Sequence, residues 1–170
     1  MKKVFRYLFF GFIFPLLVQY VFYFQFTTNY TQDLFSEQSF TKFYGSQVYQ
    51  SRKLGKELHL WTYHQLYKWD KMKTFRENEY STRRLKPLDK NADAVFYLTY
   101  FFISAFFSVL LSLILLYLFD YKALFPMEEG YKDLVICFFI LLTGFTEFVV
   151  TPYDMIGYFF QAAGMLLFLK

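Results

Sequence analysis

The stretch from Ala94 to Phe119 reads AVFYLTYFFISAFFSVLLSLILLYLF, and its 26 residues carry no charge. A helix needs about 20 mostly apolar residues to cross the roughly 30 Å of hydrocarbon in a bilayer. Helices of soluble domains expose one face to water, so an uncharged run of this length is not expected in them. The stretch therefore predicts a membrane-spanning helix over residues 95–119, with Asn91 as its N-cap and Asp93 in its first turn.

Two further segments have the same apolar character. Residues 7–32 carry no charge, and residues 134–170 contain only Glu147, Asp154 and Lys170 as charged residues. The Thr-Pro-Tyr-Asp sequence that starts at Thr151 is a helix-start signal, so it divides the second segment into a helical hairpin. We expect an all-α integral membrane protein, residues 1–170 forming one membrane domain, with four spans at about 7–26, 95–119, 134–150 and 152–169.

The composition agrees with this class. Hydrophobic residues make up 56% of the chain and aromatic residues 26%, whereas only 19% are charged; a soluble domain averages about 25% charged residues. The chain has a single cysteine, Cys137, so a disulfide within the chain is impossible.

Residues 27–93 form the one polar region, with 12 basic and 8 acidic residues and hence a net charge of +4. Apolar residues recur there at loosely helical spacing, which predicts one or two short helices on the membrane surface or on a partner. Basic residues alternate with aromatic ones, as in Lys68-Trp69-Asp70-Lys71. We expect lipid headgroups or an acidic protein as the ligand of this loop, and no nucleic acid.

The first six residues indicate the orientation. Lys2, Lys3 and Arg6 precede an apolar run that lacks a small-residue cleavage site, which is typical of an uncleaved signal anchor. Basic residues favour the cytoplasmic side, so we expect both termini inside and the loop 27–93 outside. The inverse orientation, which would place the basic loop against an anionic leaflet, is the alternative. The bacterial inner (cytoplasmic) membrane is favoured, and the mitochondrial inner membrane is the alternative.

Small and polar residues recur within the spans. Ser104, Ser108 and Ser112 follow one another every four residues, a small-residue stripe that lets a neighbouring helix come close. Gly11, Pro15 and Gln19 share a face of the first span, where Pro15 predicts a kink. In the fourth span, Gly157, Gln161 and Gly164 share a face. These faces predict helix packing within the protein or against another subunit.

Glu147 is the candidate for ion or proton binding, because an ionisable group inside a span is a functional hypothesis by default. Thr143 lies one turn earlier on the same face, and Gln161 is the matching polar residue of the fourth span. In the alternative interpretation, Glu147 reaches water or a hydrogen-bond partner near the Thr151 corner.

Other candidates for chemistry are weak. His59 and His64 are five residues apart, whereas two histidines that bind one metal from a helix face are four apart. We interpret both as exposed loop residues and expect no metal and no cofactor. The sequence also has no phosphate-binding glycine loop, no Gly-x-Ser-x-Gly and no His-Glu-x-x-His. These absences disfavour the familiar enzyme classes and leave an unfamiliar one open.

Three functions stay open. The first is a non-catalytic integral membrane subunit of a larger complex, in contact with lipids and with other membrane subunits. The second is a small channel or transporter, formed by self-association, with Glu147 as its intramembrane carboxylate. The third is a membrane-resident immunity or regulatory protein.

Overall fold

The computed structural model describes residues 2–22, 35–44, 53–77, 92–121, 128–149 and 154–168. These residues are helical apart from short connections, and no strand occurs among them, which confirms the all-α class. In chain order the helices are α1 (Lys2–Leu8), π1 (Phe9–Ile13), α2 (Phe14–Tyr20), α3 (Glu37–Tyr44), α4 (Lys53–Tyr67), α5 (Asp70–Glu77), α6 (Ala94–Tyr121), α7 (Glu129–Val149) and α8 (Asp154–Phe168).

In the part of the chain that the structure describes, two helices are long and apolar enough to cross a bilayer. One is formed by α1, π1 and α2, which continue into each other and are called the first helix below; its apolar part is Lys3–Tyr20. The other is α6, over Ala94–Asp120. A shorter apolar helix, Met155–Phe168, lies within α8. The presence of four spans remains a prediction, as does the insertion of any of these helices into a membrane.

The start of α6 is capped by Asp93; Asn91, the predicted cap, lies outside the described residues. The Asp93 carboxylate oxygen Oδ1 accepts the backbone N–H groups of Val95 at 2.9 Å and Phe96 at 3.4 Å. These are two of the N–H groups that the first turn of a helix leaves without a partner. The predicted cap was therefore two residues too early.

The chain divides into two compact units. One comprises Met1–Phe26 and Ser104–Lys170 and is called the bundle here. The other comprises Thr27–Ile103 and is called the insert. Helix α6 contributes its first ten residues to the insert and the remainder to the bundle.

Within the bundle, the first helix packs against both α6 and α7. Arg6 contacts Asp120 near the end of α6, whereas Phe10, later in the first helix, contacts Ser112, which is earlier in α6. The two helices are therefore antiparallel. Helix α7 is parallel to the first helix, because Arg6 contacts Asp133 near its start, and a Cβ on Gly144 near its end would meet Val18.

The bundle core is built from apolar side chains of all four helices. Within α6, α7 and α8 these residues are separated by three, four, five or seven positions, spacings that bring them close to one face of each helix, so they can be buried together. The buried members are Val18, Leu111, Leu116, Phe119, Ile136, Ile140, Met155 and Ala162. Phe107 of α6 and Phe159 of α8 add an edge-to-face ring contact, with centroids 5.4 Å apart.

One or two short helices were predicted in the polar loop, and the described residues of the insert form three there, α3, α4 and α5. Helix α4 buries one face, formed by Gly55, His59, Tyr63 and Leu66, at the helical spacing of four, four and three residues. Phe40 of α3 and Phe96 of α6 are also fully buried in this unit. The contact of these helices with a membrane stays a prediction.

Candidate functional site

The serine stripe of α6 is buried, and one of its members bridges to another helix. Ser104, Ser108 and Ser112 have no exposed surface. The Ser112 hydroxyl donates a hydrogen bond to the backbone carbonyl of Phe10, over 2.5 Å between the oxygens. For Ser108 the described part of the chain offers no hydrogen-bond partner. The predicted stripe thus places a polar contact between α6 and the first helix.

Pro15 explains why the Phe10 carbonyl receives a side-chain donor. In an α-helix this carbonyl would accept the N–H of Phe14, but Phe14 donates instead to Phe9, five residues back, in a π-type bond. The next residue in line is Pro15, whose nitrogen carries no hydrogen. Both usual backbone donors are therefore lost, and the hydroxyl of Ser112 replaces them. The structure has a π segment at residues 9–13, directly before the turn that holds Pro15; the predicted kink stays a prediction.

The glycines that we predicted as packing residues lie in different surroundings. Gly11 is buried, and a Cβ added there would lie 2.7 Å from Cδ2 of Leu113 in α6. Gly157 is exposed and Gly164 partly exposed, and a Cβ on either would meet nothing within 4 Å among the described residues. A close approach that the sequence did not indicate occurs at Gly144, whose Cβ would lie 2.9 Å from Val18.

Arg6 joins three helices at one end of the bundle. Its Nη1 donates to both carboxylate oxygens of Asp120 in α6, at 2.7 and 2.8 Å. Its Nε donates to Oδ1 of Asp133 in α7, at 2.6 Å. The Tyr7 hydroxyl adds a bond to Asp120, at 3.0 Å. We call Arg6, Tyr7, Asp120 and Asp133 the arginine cluster.

The chemistry of the arginine cluster is electrostatic. The side chains of Arg6 and Asp120 are only 11% and 10% exposed, so water screens this pair weakly. Arginine keeps its positive charge in proteins and binds carboxylates through several N–H groups at once. Lys132 adds a bond from its Nζ to the carbonyl of Phe119, near the end of α6, where a cation is favourable. The cluster therefore clamps three helix ends together.

The three residues proposed to bind an ion or proton occupy different positions. Thr143 is buried, and its hydroxyl donates to the carbonyl of Ile140 in its own helix, at 3.0 Å. Gln161 is exposed on α8. Glu147 lies in α7 close to its end at Val149, and its side chain is outside the described part of the structure. An ion- or proton-binding role for these residues stays a prediction.

His59 is buried, and the interpretation of this residue as an exposed loop histidine was wrong. Its side chain has no exposed surface. The imidazole stacks on Phe40 with centroids 5.0 Å apart, and lies 4.5 Å from the ring of Phe96 and 4.0 Å from that of Tyr100. Burial lowers the pKa of His59 to about 3, and an interaction with the backbone of Phe96 offsets this only in part. The ring is therefore neutral in the folded insert.

Tyr63 and Asp93 complete the polar interior of the insert. The hydroxyl of Tyr63, one turn after His59, donates to Oδ2 of Asp93 at 3.0 Å. The other oxygen of Asp93 caps α6. This carboxylate thus links α4 to the start of α6. His64 is exposed, as expected, and lies 3.2 Å from a carboxylate oxygen of Glu37 in α3.

Metal ligands are not gathered in the described residues: no three His, Cys, Asp or Glu side chains there are grouped closely enough to hold an ion. Cys137 is a partly buried free thiol on α7. Ser112, the arginine cluster and the pair of Tyr63 and Asp93 form hydrogen bonds between helices, which stabilise helix–helix contacts.

Sequence reasoning missed the arginine cluster and the buried histidine. A signal existed for each of them. Asp120 and Asp133 flank the connector between two apolar helices, and Arg6 precedes the first apolar run, so a bundle brings all three to one end. His59 shares a helical face with Tyr63 and Leu66, which an assignment to a loop overlooked.

The comparisons with known proteins add no family to this description. No protein-family model matches the chain, and neither a curated protein nor a solved structure is significantly similar to it.

Proposed function

We propose that this chain is a non-catalytic integral membrane subunit of a larger membrane complex. In this proposal the first helix, α6, α7 and α8 span the bilayer. The bundle offers packing surface to lipids and to other membrane subunits, and the insert is a docking region on one side of the membrane.

The observation that carries the proposal is the apolar outer surface of the bundle. Large apolar side chains point outward on three of its helices, with exposed fractions between 62% and 74% for Val4, Phe5, Leu134, Phe138, Met165 and Leu167. Soluble monomers rarely expose contiguous apolar patches above a few hundred Å². Lipid tails or apolar helices of a partner are the surroundings in which such side chains are stable.

The polar interior of the bundle supports a structural role and not a catalytic one. Ser112 and Thr143 donate to backbone carbonyls, and Arg6 is held by two carboxylates. These bonds satisfy polar groups that would otherwise be costly within an apolar bundle. They leave the described interior arranged for packing.

The orientation in the proposal follows the arginine cluster. The cluster brings together the start of the first helix, the end of α6 and the start of α7. Lys3 and Lys132 lie in the same helical ends. Because basic residues near spans favour the cytoplasmic side, we place this end of the bundle in the cytoplasm and the insert on the opposite side, in a bacterial inner membrane.

The first experiment is purification of the N-terminally tagged chain in a mild detergent, after extraction of the membranes with alkaline carbonate. Native gel electrophoresis and mass spectrometry then identify the polypeptides in the band. Retention in the membrane pellet and stoichiometric partners are the expected results. Release by carbonate contradicts membrane insertion, whereas a band that contains only this chain contradicts the subunit role.

A band of this chain alone would direct attention to the channel hypothesis. The test is then ion or proton flux in liposomes for the wild type and Glu147→Gln. Flux that the substitution abolishes would support a channel or transporter. Absence of flux in the wild type would leave the immunity or regulatory hypothesis, which protection assays against membrane-active toxins address.

A further inference from the structure

The outward face of α4 carries a row of residues opposite its buried one. Positions seven apart share a face of a helix after about two turns, so Leu54 and Trp61 form one row, and Lys68 follows directly after Tyr67, the last residue of α4. The buried row of Gly55, His59, Tyr63 and Leu66 lies on the other side. The outward row therefore has no role in the core of the insert.

Large apolar and aromatic groups are exposed along and next to this row. Leu54 is 61% exposed and Trp61 62%. Trp69, in the turn that follows the row, is 59% exposed. These two tryptophans are the only ones in the chain. Full exposure of both to water is unfavourable, because tryptophan offers the largest apolar surface of any side chain.

Lysines accompany these aromatic residues. Residues 53–71 contain four lysines against Glu57 and Asp70, a net charge of +2. Lys53, Lys68 and Lys71 are exposed, and Lys56 is partly exposed. Protein–protein interface cores are depleted in lysine, whereas tryptophan and lysine side chains together suit the headgroup region of a bilayer, where the ring lies at the interface and the ammonium reaches phosphate.

We propose that the tryptophan–lysine surface, formed by Leu54, Trp61, Lys68, Trp69 and Lys71, lies in the headgroup region of an anionic phospholipid bilayer. The inference rests on the proposed membrane insertion of the bundle. The insert is tethered in the chain between the first helix and the apolar part of α6, so the lipid surface is present at high effective concentration. Each lysine near an anionic surface adds about 1 kcal/mol of attraction, which is roughly a fivefold change in affinity.

The test uses the two tryptophans as local probes in the full chain, reconstituted into phospholipid vesicles. Lipids with bromine at a shallow or a deep acyl position quench tryptophan fluorescence according to depth. Trp61→Phe and Trp69→Phe leave one reporter each. We expect shallow bromines to quench both reporters more than deep ones, and anionic vesicles to give more quenching than zwitterionic ones.

Charge variants test the role of the lysines. The double variant Lys68→Gln/Lys71→Gln should lower the quenching in anionic vesicles to the level found in zwitterionic ones. Lys42→Gln is the matched control, because Lys42 is exposed on α3, outside this surface; it should leave the quenching unchanged. Equal quenching in the double variant and the wild type would overturn the contribution of these charges.

The remaining outcomes separate this inference from the proposed function. Tryptophans quenched by aqueous iodide and not by bromolipids overturn the lipid contact, as do tryptophans protected from both quenchers, which a second copy of the chain would cover. Flotation with the vesicles after alkaline extraction tests the bundle on its own. A chain that floats with unquenched tryptophans therefore keeps its membrane insertion and loses only the inference.

Discussion

The hydroxyl of Ser112 donates a hydrogen bond to the backbone carbonyl of Phe10, which has lost both of its usual donors within the first helix. This arrangement combines a π segment, a proline five residues after that carbonyl and a serine on another helix. Ser112 and Phe10 are 102 residues apart in the sequence. A proline within an apolar helix is tolerated where a neighbouring side chain donates a hydrogen bond to the backbone carbonyl that the proline leaves without a donor.

Replacement of Ser112 by alanine should destabilise the bundle by about 1 kcal/mol or somewhat more, because it leaves the Phe10 carbonyl without a donor. Thermal unfolding in detergent measures this effect. Ser108→Ala is the matched control: it removes a hydroxyl that is equally buried and has no partner in the described chain. A loss of stability as large in Ser108→Ala as in Ser112→Ala would contradict the bridging role.

Replacement of Pro15 by alanine restores an N–H in the first helix, so the Phe10 or Gly11 carbonyl regains a backbone donor. The cost of Ser112→Ala should then be smaller in the Pro15→Ala background than in the wild type. A double-mutant cycle on the free energy of unfolding measures the coupling, which we expect at about 0.5 kcal/mol or more. Additive effects of the two substitutions would show that the serine and the proline act independently.

Loss of the Arg6 side chain should destabilise the bundle by about 3 kcal/mol, since two poorly exposed carboxylates lose their counter-charge. Asp120→Asn should cost more than Asp133→Asn, because Asp120 accepts two bonds from Arg6 and one from Tyr7. Unfolding in detergent ranks the three variants. An Asp133→Asn variant less stable than Asp120→Asn would contradict this order.

Substitution of the glycines should separate tight contacts from open positions. Gly144→Ala should destabilise the bundle, because its Cβ would lie 2.9 Å from Val18 and 3.2 Å from the ring of Phe22. Gly157→Ala should be neutral or slightly stabilising, since nothing described lies within 4 Å and alanine is the better helix former. Thermal unfolding compares them. The reverse order would contradict the packing of the first helix on α7.

Acid should destabilise the insert through His59. The folded state holds this group neutral, with a pKa of about 3 against 6.5 for an unperturbed histidine. The unfolded state therefore binds a proton that the folded state does not. The free energy of unfolding is therefore not reduced by this group above pH 6.5. As the pH falls from 6.5 toward 3, protonation of the unfolded state lowers the free energy of unfolding by up to about 1.4 kcal/mol per pH unit.

Tryptophan fluorescence follows the unfolding of the insert directly, because both tryptophans lie in or next to α4. Between pH 6.5 and 5 the wild type should lose stability, and His59→Gln should lose much less. His64→Gln is the comparison variant, because His64 is a second histidine of α4 that is 54% exposed and lies outside the buried ring cluster of His59. The prediction fails if His59→Gln keeps the slope of the wild type.

The class of the protein could be predicted from the sequence because it depends on local properties. Neighbouring residues in the sequence determine the uncharged runs, their lengths and the serine spacing in α6. Helical structure can be predicted from these features without knowing which helices pack together. The apolar spacing also indicated helices in the region of α4 and α5, whereas α3 was not predicted. The cap of α6 was misplaced by two residues, because Asn91 and Asp93 are both suitable caps and only the hydrogen bonds distinguish them.

The sequence by itself determined the helical class, the two long apolar helices and the candidate packing stripe, since helix formation and apolar length are properties of consecutive residues. Only the tertiary structure decided which polar groups meet. Arg6 lies 114 residues from Asp120, and Ser112 lies 102 residues from Phe10; no local pattern joins such pairs. The burial of His59 likewise depends on rings from α3 and α6, because desolvation is a property of the surroundings in space and not of the neighbours in the chain.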